Sequence, residues 1–92
     1  MNAVRAMIYV YALLNNDGLF YTGCTNDLRR RITERNKGRS TYTRYRGPFE
    51  LVYYEACLDS RDAFAREKYL KSGMGKRYIR NRVKYYKEAL TA

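Results

Sequence analysis

Tyr11 and Tyr21 stand ten residues apart near the start of the chain, Arg31 follows after ten more, and Glu67 is a carboxylate set inside an apolar helical stripe. The sequence has no histidine and only nine acidic residues. Chemistry on a phosphodiester would therefore fall to tyrosine, arginine and one glutamate. Those types are sufficient in principle. An arginine fork binds phosphate through two parallel hydrogen bonds. A lone carboxylate can hold one Mg2+ or Mn2+ whose octahedron is completed by water and phosphate oxygens, and such an ion neutralises the phosphate and stabilises the leaving oxygen. Tyrosine, with a pKa of about 10, is a poor base in water. Adjacent arginines and a metal favour its ionised form, which would activate a water.

Ala63, Phe64, Glu67 and Leu70 fall at helix positions i, i+1, i+4 and i+7. The stripe is therefore expected to bury the Glu67 carboxylate, and buried carboxylates are rare unless paired or metal-bound. The competing reading is a surface ion pair with Lys71, four residues on, worth roughly 0.2–0.5 kcal/mol. Arg31 and Arg35 lie one turn apart beside Leu28 and Ile32. Arg31 can lean from that stripe toward a sheet, whereas Arg29 and Arg30 read as a solvated basic face.

The tyrosines can cooperate only if the chain around them folds in one way. Residues 7–14 and 19–23 are rich in β-branched and aromatic types, with Asn15, Asn16, Asp17 and Gly18 between them, which is a hairpin signal. A four-residue loop would place Tyr11 opposite Thr22 and send Tyr21 to the other face. A three-residue loop, Asn16 to Gly18 with Gly18 left-handed, puts Tyr11 and Tyr21 on one face as diagonal neighbours roughly 7–8 Å apart. The second arrangement is expected, because Gly18 suits it and a shared site requires it. Asn26 or Thr25 then caps a helix of about 27–37, with Gly38 as its stop. Residues 38–48 form a long loop, and Phe49 to Cys57 a third strand. Asp59 or Ser60 begins a second helix that runs to about Ser72 and ends at Gly73. Gly75 separates it from a final helix with apolar positions Ile79, Val83, Tyr86 and Leu90. The expected fold is a single α+β domain over 1–92: a small three-stranded antiparallel sheet, made of the N-terminal hairpin and a third strand, flanked by about three helices in the order ββαβαα.

Charge indicates the partner. Nineteen Lys and Arg against nine Asp and Glu give a net +10, the electrostatic footprint of a nucleic-acid binder. The basic residues are spread over several elements instead of one amphipathic helix, which disfavours a membrane surface. No apolar run reaches membrane-spanning length. The 38–48 loop interleaves Arg39, Arg44 and Arg46 with Tyr42 and Tyr45, a pattern suited to a phosphate backbone and unstacked bases. Arg35 and the final-helix residues Lys76, Arg77 and Arg80 read as phosphate contacts. Tyr53, Tyr54, Tyr69 and Tyr78 read as core or boundary aromatics. Cys24 and Cys57 read as reduced core thiols, and the absence of a signal peptide points to a cytoplasmic protein.

These strings together resemble the GIY-YIG nuclease superfamily. Tyr9-Val10-Tyr11 stands at the first motif and Tyr21-Thr22-Gly23 at the second. The likeness continues through Asn26-Asp27-Leu28-Arg29-Arg30-Arg31, Phe49-Glu50-Leu51-Val52-Tyr53-Tyr54-Glu55 and Arg66-Glu67-Lys68-Tyr69-Leu70-Lys71, nearly the whole chain. The resemblance implies a three-stranded antiparallel sheet with flanking helices and metal-dependent hydrolysis of DNA using one Mg2+ or Mn2+. By it Tyr11 activates the attacking water, Tyr21 supports or shares that role, Arg31 binds the scissile phosphate and Glu67 holds the metal. Tyr9, Gly23 and Asn81 are auxiliary positions. Three departures mark this chain: Tyr9 replaces the opening glycine of the first motif, Cys24 replaces a lysine common in repair nucleases, and Arg35 stands where a histidine is frequent. The implied function is a structure-directed or weakly sequence-specific DNA endonuclease in repair, recombination or mobile-element processing, with a protein partner as one possible source of specificity. The alternatives from other classes are a non-catalytic DNA- or RNA-binding module with the same fold, and an RNA-directed or ribosome-associated protein.

Overall fold

A computed structural model describes residues 6–37 and 48–91 of the chain. The elements run β1 (Ile8–Leu14), β2 (Phe20–Thr25), α1 (Leu28–Asn36), β3 (Glu50–Cys57), α2 (Ser60–Leu70), α3 (Gly73–Arg82) and α4 (Lys84–Thr91). The strands form an antiparallel sheet in the order β2-β1-β3. This is the expected α+β architecture with one helix more, ββαβααα.

β1 is central and covered on both sides, so Val10 to Leu14 are all buried and read as an unbroken apolar run. Its alternate residues serve two half-cores. Val10 and Ala12 face α2 and α3 and pack with Ala63, Leu70, Ile79 and Val83. Tyr11 and Leu13 face the other way, where Phe49, Leu51 and the α1 residues Leu28 and Ile32 close over them.

The hairpin adopts the three-residue loop. The buried Asn15 side chain accepts from the backbone N–H of Asp17 at 3.0 Å and Leu19 at 2.9 Å. The Gly18 N–H reaches the Asn15 carbonyl at 3.1 Å, and Gly18 has φ +80, a conformation that glycine adopts without a steric penalty. Tyr11 consequently pairs with Gly23 and Leu13 with Tyr21, which sets both tyrosines on the α1 face.

Asp27, rather than Asn26 or Thr25, caps α1, accepting from the Arg30 N–H at 3.1 Å. Thr25 instead bonds back to Asp27, and Asn26 accepts from the Arg30 side chain. At its far end, Asn36 acts as a strand partner for Phe49: its amide oxygen accepts from the Phe49 N–H at 2.8 Å and its amide N–H donates to the Phe49 carbonyl at 3.2 Å. Asp59 caps α2. Gly73 does not stop that helix but opens the next one, which Ser72 caps by accepting from the Gly75 N–H at 3.1 Å. A side chain at Gly75 would collide with the backbone of Tyr69 and Leu70, so α3 starts hard against the end of α2. The final helical stripe divides at Val83: Ile79 and Val83 stay in the core, while Tyr86 and Leu90 are half-exposed on α4. The Tyr86 hydroxyl then donates to Glu50 Oε1 at 2.8 Å, tying α4 to β3. The expected inward position of Phe64 is also not realised. Its ring is 60% exposed, because Ala63 and Leu70 alone carry the buried line of α2.

Candidate active site

Tyr11 is 1% exposed, and its ring lies across Gly23 of the neighbouring strand. A Cβ at Gly23 would sit 2.5 Å from the Tyr11 hydroxyl and 2.8 Å from its Cζ, so glycine is what admits the ring. Leu28, Ile32 and Arg35 fall at i, i+4 and i+7 on α1, which turns Arg35 toward the sheet as well. Its Nε donates to the Tyr11 hydroxyl at 3.3 Å, with the guanidinium carbon 6.0 Å from the ring centroid. Sequence reasoning assigned Arg35 to phosphate and missed this contact, although the helical spacing carried the signal. Tyr21 sits on the same face, edge-on to Phe49 with ring centroids 5.2 Å apart. Arg31, one turn before Arg35, is half-buried, and its Nε is shielded from solvent with no hydrogen-bond partner among the described residues.

Glu67 approaches β2 at Cys24, the residue after Gly23. Its carboxylate is 21% exposed and takes an ion pair from Lys71, Nζ to Oε2 at 2.8 Å. Glu67 is thus partly buried and paired on its own helix. The Cys24 thiol donates to the Ala63 carbonyl, its sulfur 3.5 Å from that oxygen, and lies beside the Glu67 carboxylate. Burial works against ionisation of Glu67, but the Lys71 ammonium, the Cys24 thiol and the charge of Arg35 outweigh it and hold the carboxyl below its ordinary range. Burial, reinforced by the neighbouring Glu67 charge, pushes the Cys24 thiol up to about 12. Tyr11, Gly23 and Arg35 thus lie on the α1 side of the sheet, and Cys24 and Glu67 on the α2 side.

A divalent cation would find a single carboxylate here. Among the described residues no three His, Cys, Asp or Glu side chains converge. That donor set fits a hydrated Mg2+ or Mn2+ completed by substrate oxygens, not a closed protein cage.

The remaining candidates lie apart. Tyr9 packs edge-on against Tyr54, with centroids 5.8 Å apart. Lys76, Arg77, Arg80 and Asn81 are exposed along α3, and among the described residues no hydrogen bond or ion pair joins them to Tyr11, Arg31 or Glu67. Arg39, Tyr42, Arg44, Tyr45 and Arg46 lie outside the described residues. A second polar network, which the sequence did not announce, ties β3 to α2 and α3. Arg66 grips Glu55 through Nε and Nη2 at 2.8 and 2.9 Å, Tyr53 donates to Glu55 at 2.9 Å, and the Arg66 guanidinium lies 4.6 Å from the Tyr78 ring centroid. Arg66 stands 11 residues from Glu55 and meets it only in the fold. Cys24 and Cys57 are both free thiols, and no helix among the described residues is long and apolar enough to cross a membrane.

The family model described as the GIY-YIG catalytic domain matches residues 7–81. A UPF0213 protein of Clostridium perfringens is 48% identical over 66 residues, 71% of each chain. One from Desulfotalea psychrophila is 45% identical over 65 residues, 68% of this chain and 59% of its own. The solution NMR structure of a UPF0213 protein from Bacillus halodurans superposes with a TM-score of 0.51 at 39% identity, covering 79% of this chain and 81% of that one. Both tyrosine motifs, Arg31, Arg35 and Glu67 all fall inside the matched span. The chain belongs to the GIY-YIG catalytic domain family.

Proposed function

We propose that this protein is a divalent-metal-dependent endonuclease that hydrolyses DNA phosphodiester bonds, directed by structure or weakly by sequence, in repair, recombination or mobile-element processing. The observation that carries the reading is the Tyr11 hydroxyl, buried on the α1 face of the sheet and held by Arg35. Arg31, one turn away on α1, has a buried donor without a partner among the described residues, and Glu67, on α2, offers a partly buried carboxylate; both support the reading.

Tyr11 is the group that takes a proton from the attacking water. Tyr11 does so as the phenolate and becomes the neutral phenol as the proton arrives, the hydroxide passing to the phosphorus, while Arg35 donates to the phenolic oxygen and fixes it in place. Tyr21, on the same face, supports or shares that role. Arg31 binds the scissile phosphate. A buried guanidinium N–H without a partner costs free energy, and a phosphate oxygen would satisfy it in a short, charge-assisted bond. Glu67 is the residue that would hold the Mg2+ or Mn2+. The ion when bound supplies charge neutralisation on the phosphate and at the leaving oxygen. Arg35 stands at the frequent histidine position, and it is neither a base nor a metal ligand near neutral pH; its part is to hold Tyr11 and to add positive charge. The exposed Lys76, Arg77 and Arg80, together with Arg39, Tyr42, Arg44, Tyr45 and Arg46, supply backbone contacts that position nucleic acid without reading bases.

Cleavage of plasmid and branched DNA with Mg2+ or Mn2+, against Glu67→Ala, tests the assignment. Strand scission by the wild type and none by the variant is expected. Retained DNA binding with no scission above the variant would instead make the protein a non-catalytic nucleic-acid-binding module, and scission of RNA alone would redirect the substrate.

A further inference from the structure

Lys71 shares the Glu67 carboxylate that the proposed reaction reserves for a cation. Its ammonium lies 2.8 Å from Oε2, well inside the distance at which a divalent ion bound to the same carboxylate would repel it. Lys71 is itself more than half exposed, with a side-chain accessibility of 57%, whereas the carboxylate is 21% exposed. The lysine has more open solvent around it than the glutamate. The neighbouring Cys24 is a neutral thiol that does not compete electrostatically for Glu67. Cation and ammonium therefore exclude each other, and whatever draws the ammonium away opens the carboxylate. The only other role open to Lys71 is that of an ordinary i, i+4 helix pair, which would leave metal affinity untouched.

We propose that Lys71 is the resident counter-ion of Glu67, and that a nucleic-acid phosphate releases it, so that the metal site is assembled by the substrate. This rests on the reading of Glu67 as the metal-holding residue. The free protein keeps this partly buried carboxylate neutralised. When a phosphodiester enters, the ammonium transfers to a phosphate oxygen and Glu67 becomes available to Mg2+ or Mn2+. Metal and nucleic acid then bind with positive coupling, which must be reciprocal.

The test is Mn2+ binding to the full chain, followed by the loss of the free-ion electron paramagnetic signal, with and without a short phosphorothioate duplex. Variants are Lys71→Met, Glu67→Gln and the double variant. A unit charge about 5 Å from a divalent ion, in water-like dielectric with salt screening, weakens binding by roughly five- to tenfold. Lys71→Met is expected to tighten Mn2+ by that factor in the absence of DNA. The duplex is expected to tighten Mn2+ in the wild type more than in Lys71→Met, and both variants lacking Glu67 are expected to lose the site. Melting curves establish that each variant is folded before its Mn2+ affinity is compared. Equal Mn2+ affinity in wild type and Lys71→Met, with loss in Glu67→Gln, overturns the proposal and leaves the metal reading intact. Absence of Mn2+ binding in every protein, with or without DNA, overturns both.

Discussion

Alanine at Gly23 should displace the Tyr11 hydroxyl from its site. The new methyl would stand 2.5 Å from the hydroxyl oxygen, 2.8 Å from Cζ and 3.2 Å from Cε2. Relief requires the ring to retreat by about 1 Å to reach ordinary contact distance. The ring has little room, because Tyr11 is 1% exposed and packed with Leu13, Phe49, Leu28 and Ile32. Overpacking of this kind costs about 1–3 kcal/mol, and each kcal/mol lowers the melting temperature of a domain this size by about 4–8 °C. A shift of about 1 Å in a catalytic group costs about 10²-fold in rate, and the 3.3 Å bond from Arg35 would be lost with it. Thermal melting and plasmid cleavage with Mg2+ read the two effects separately. Tyr11→Phe removes the nearest of the three contacts, so Gly23→Ala should cost less stability in that background than in the wild type, with a coupling measurable by a double-mutant cycle. Gly23→Ala that melts and cuts like the wild type would refute the packing argument. An equal stability cost in both backgrounds would show that the hydroxyl contact is not its source.

If Arg35 acts through Tyr11, Arg35→Met and Tyr11→Phe should each slow cleavage by roughly 10²-fold, and the double variant should be no slower than the worse single one; multiplied losses would separate the two. At Glu55, burial works against ionisation, but Arg66 and Tyr53 outweigh it and hold the carboxyl below its ordinary range. The folded protein thus keeps this charge to lower pH than the unfolded chain. The resulting stability is complete above the ordinary carboxylate pKa and is lost as pH falls through the depressed folded value. The melting-temperature gap between wild type and Glu55→Gln should therefore be widest near neutrality and close below about pH 4; a gap that widens in acid would contradict it. In a Cys57→Ala background, Cys24, pushed up to about 12 by burial and by Glu67, should alkylate about a thousandfold more slowly than an ordinary thiol at pH 8. Glu67→Gln should speed that reaction by removing the second of those causes. An unchanged rate would mean that the thiol and carboxylate do not meet in solution.

Much of the fold was legible because it follows from local patterns. The β-branched runs around Asn15 and Gly18 named the hairpin, and Gly18 chose the register. That choice decided whether Tyr11 and Tyr21 share a face, since a slip of one residue reverses every side chain. Helix ends were less legible. Thr25, Asn26 and Asp27 are all competent caps, and the backbone chose Asp27. Gly73 looked like a stop and proved to be a start, because Ser72 captures the Gly75 N–H. Phe64 misled because its position fits the helical stripe, while the line actually buried runs through Ala63 and Leu70.

By itself the sequence determined the chemical repertoire of this protein: no histidine, few acids, abundant tyrosine and arginine, and a basic surface drawn to phosphate. It also determined the order of the elements and the turn that aligns two tyrosines, because both are written in neighbours along the chain. Only the tertiary structure decided which groups touch. Arg35 reaches Tyr11 across 24 positions and Cys24 reaches Ala63 across 39. Such contacts depend on how α1 and α2 are pressed against opposite faces of β1 and on which side chains burial leaves without water. The pairing of Glu67 with Lys71 was written in their spacing, but its consequence was not. That required the fold to withdraw the carboxylate partly from solvent while leaving the ammonium more exposed.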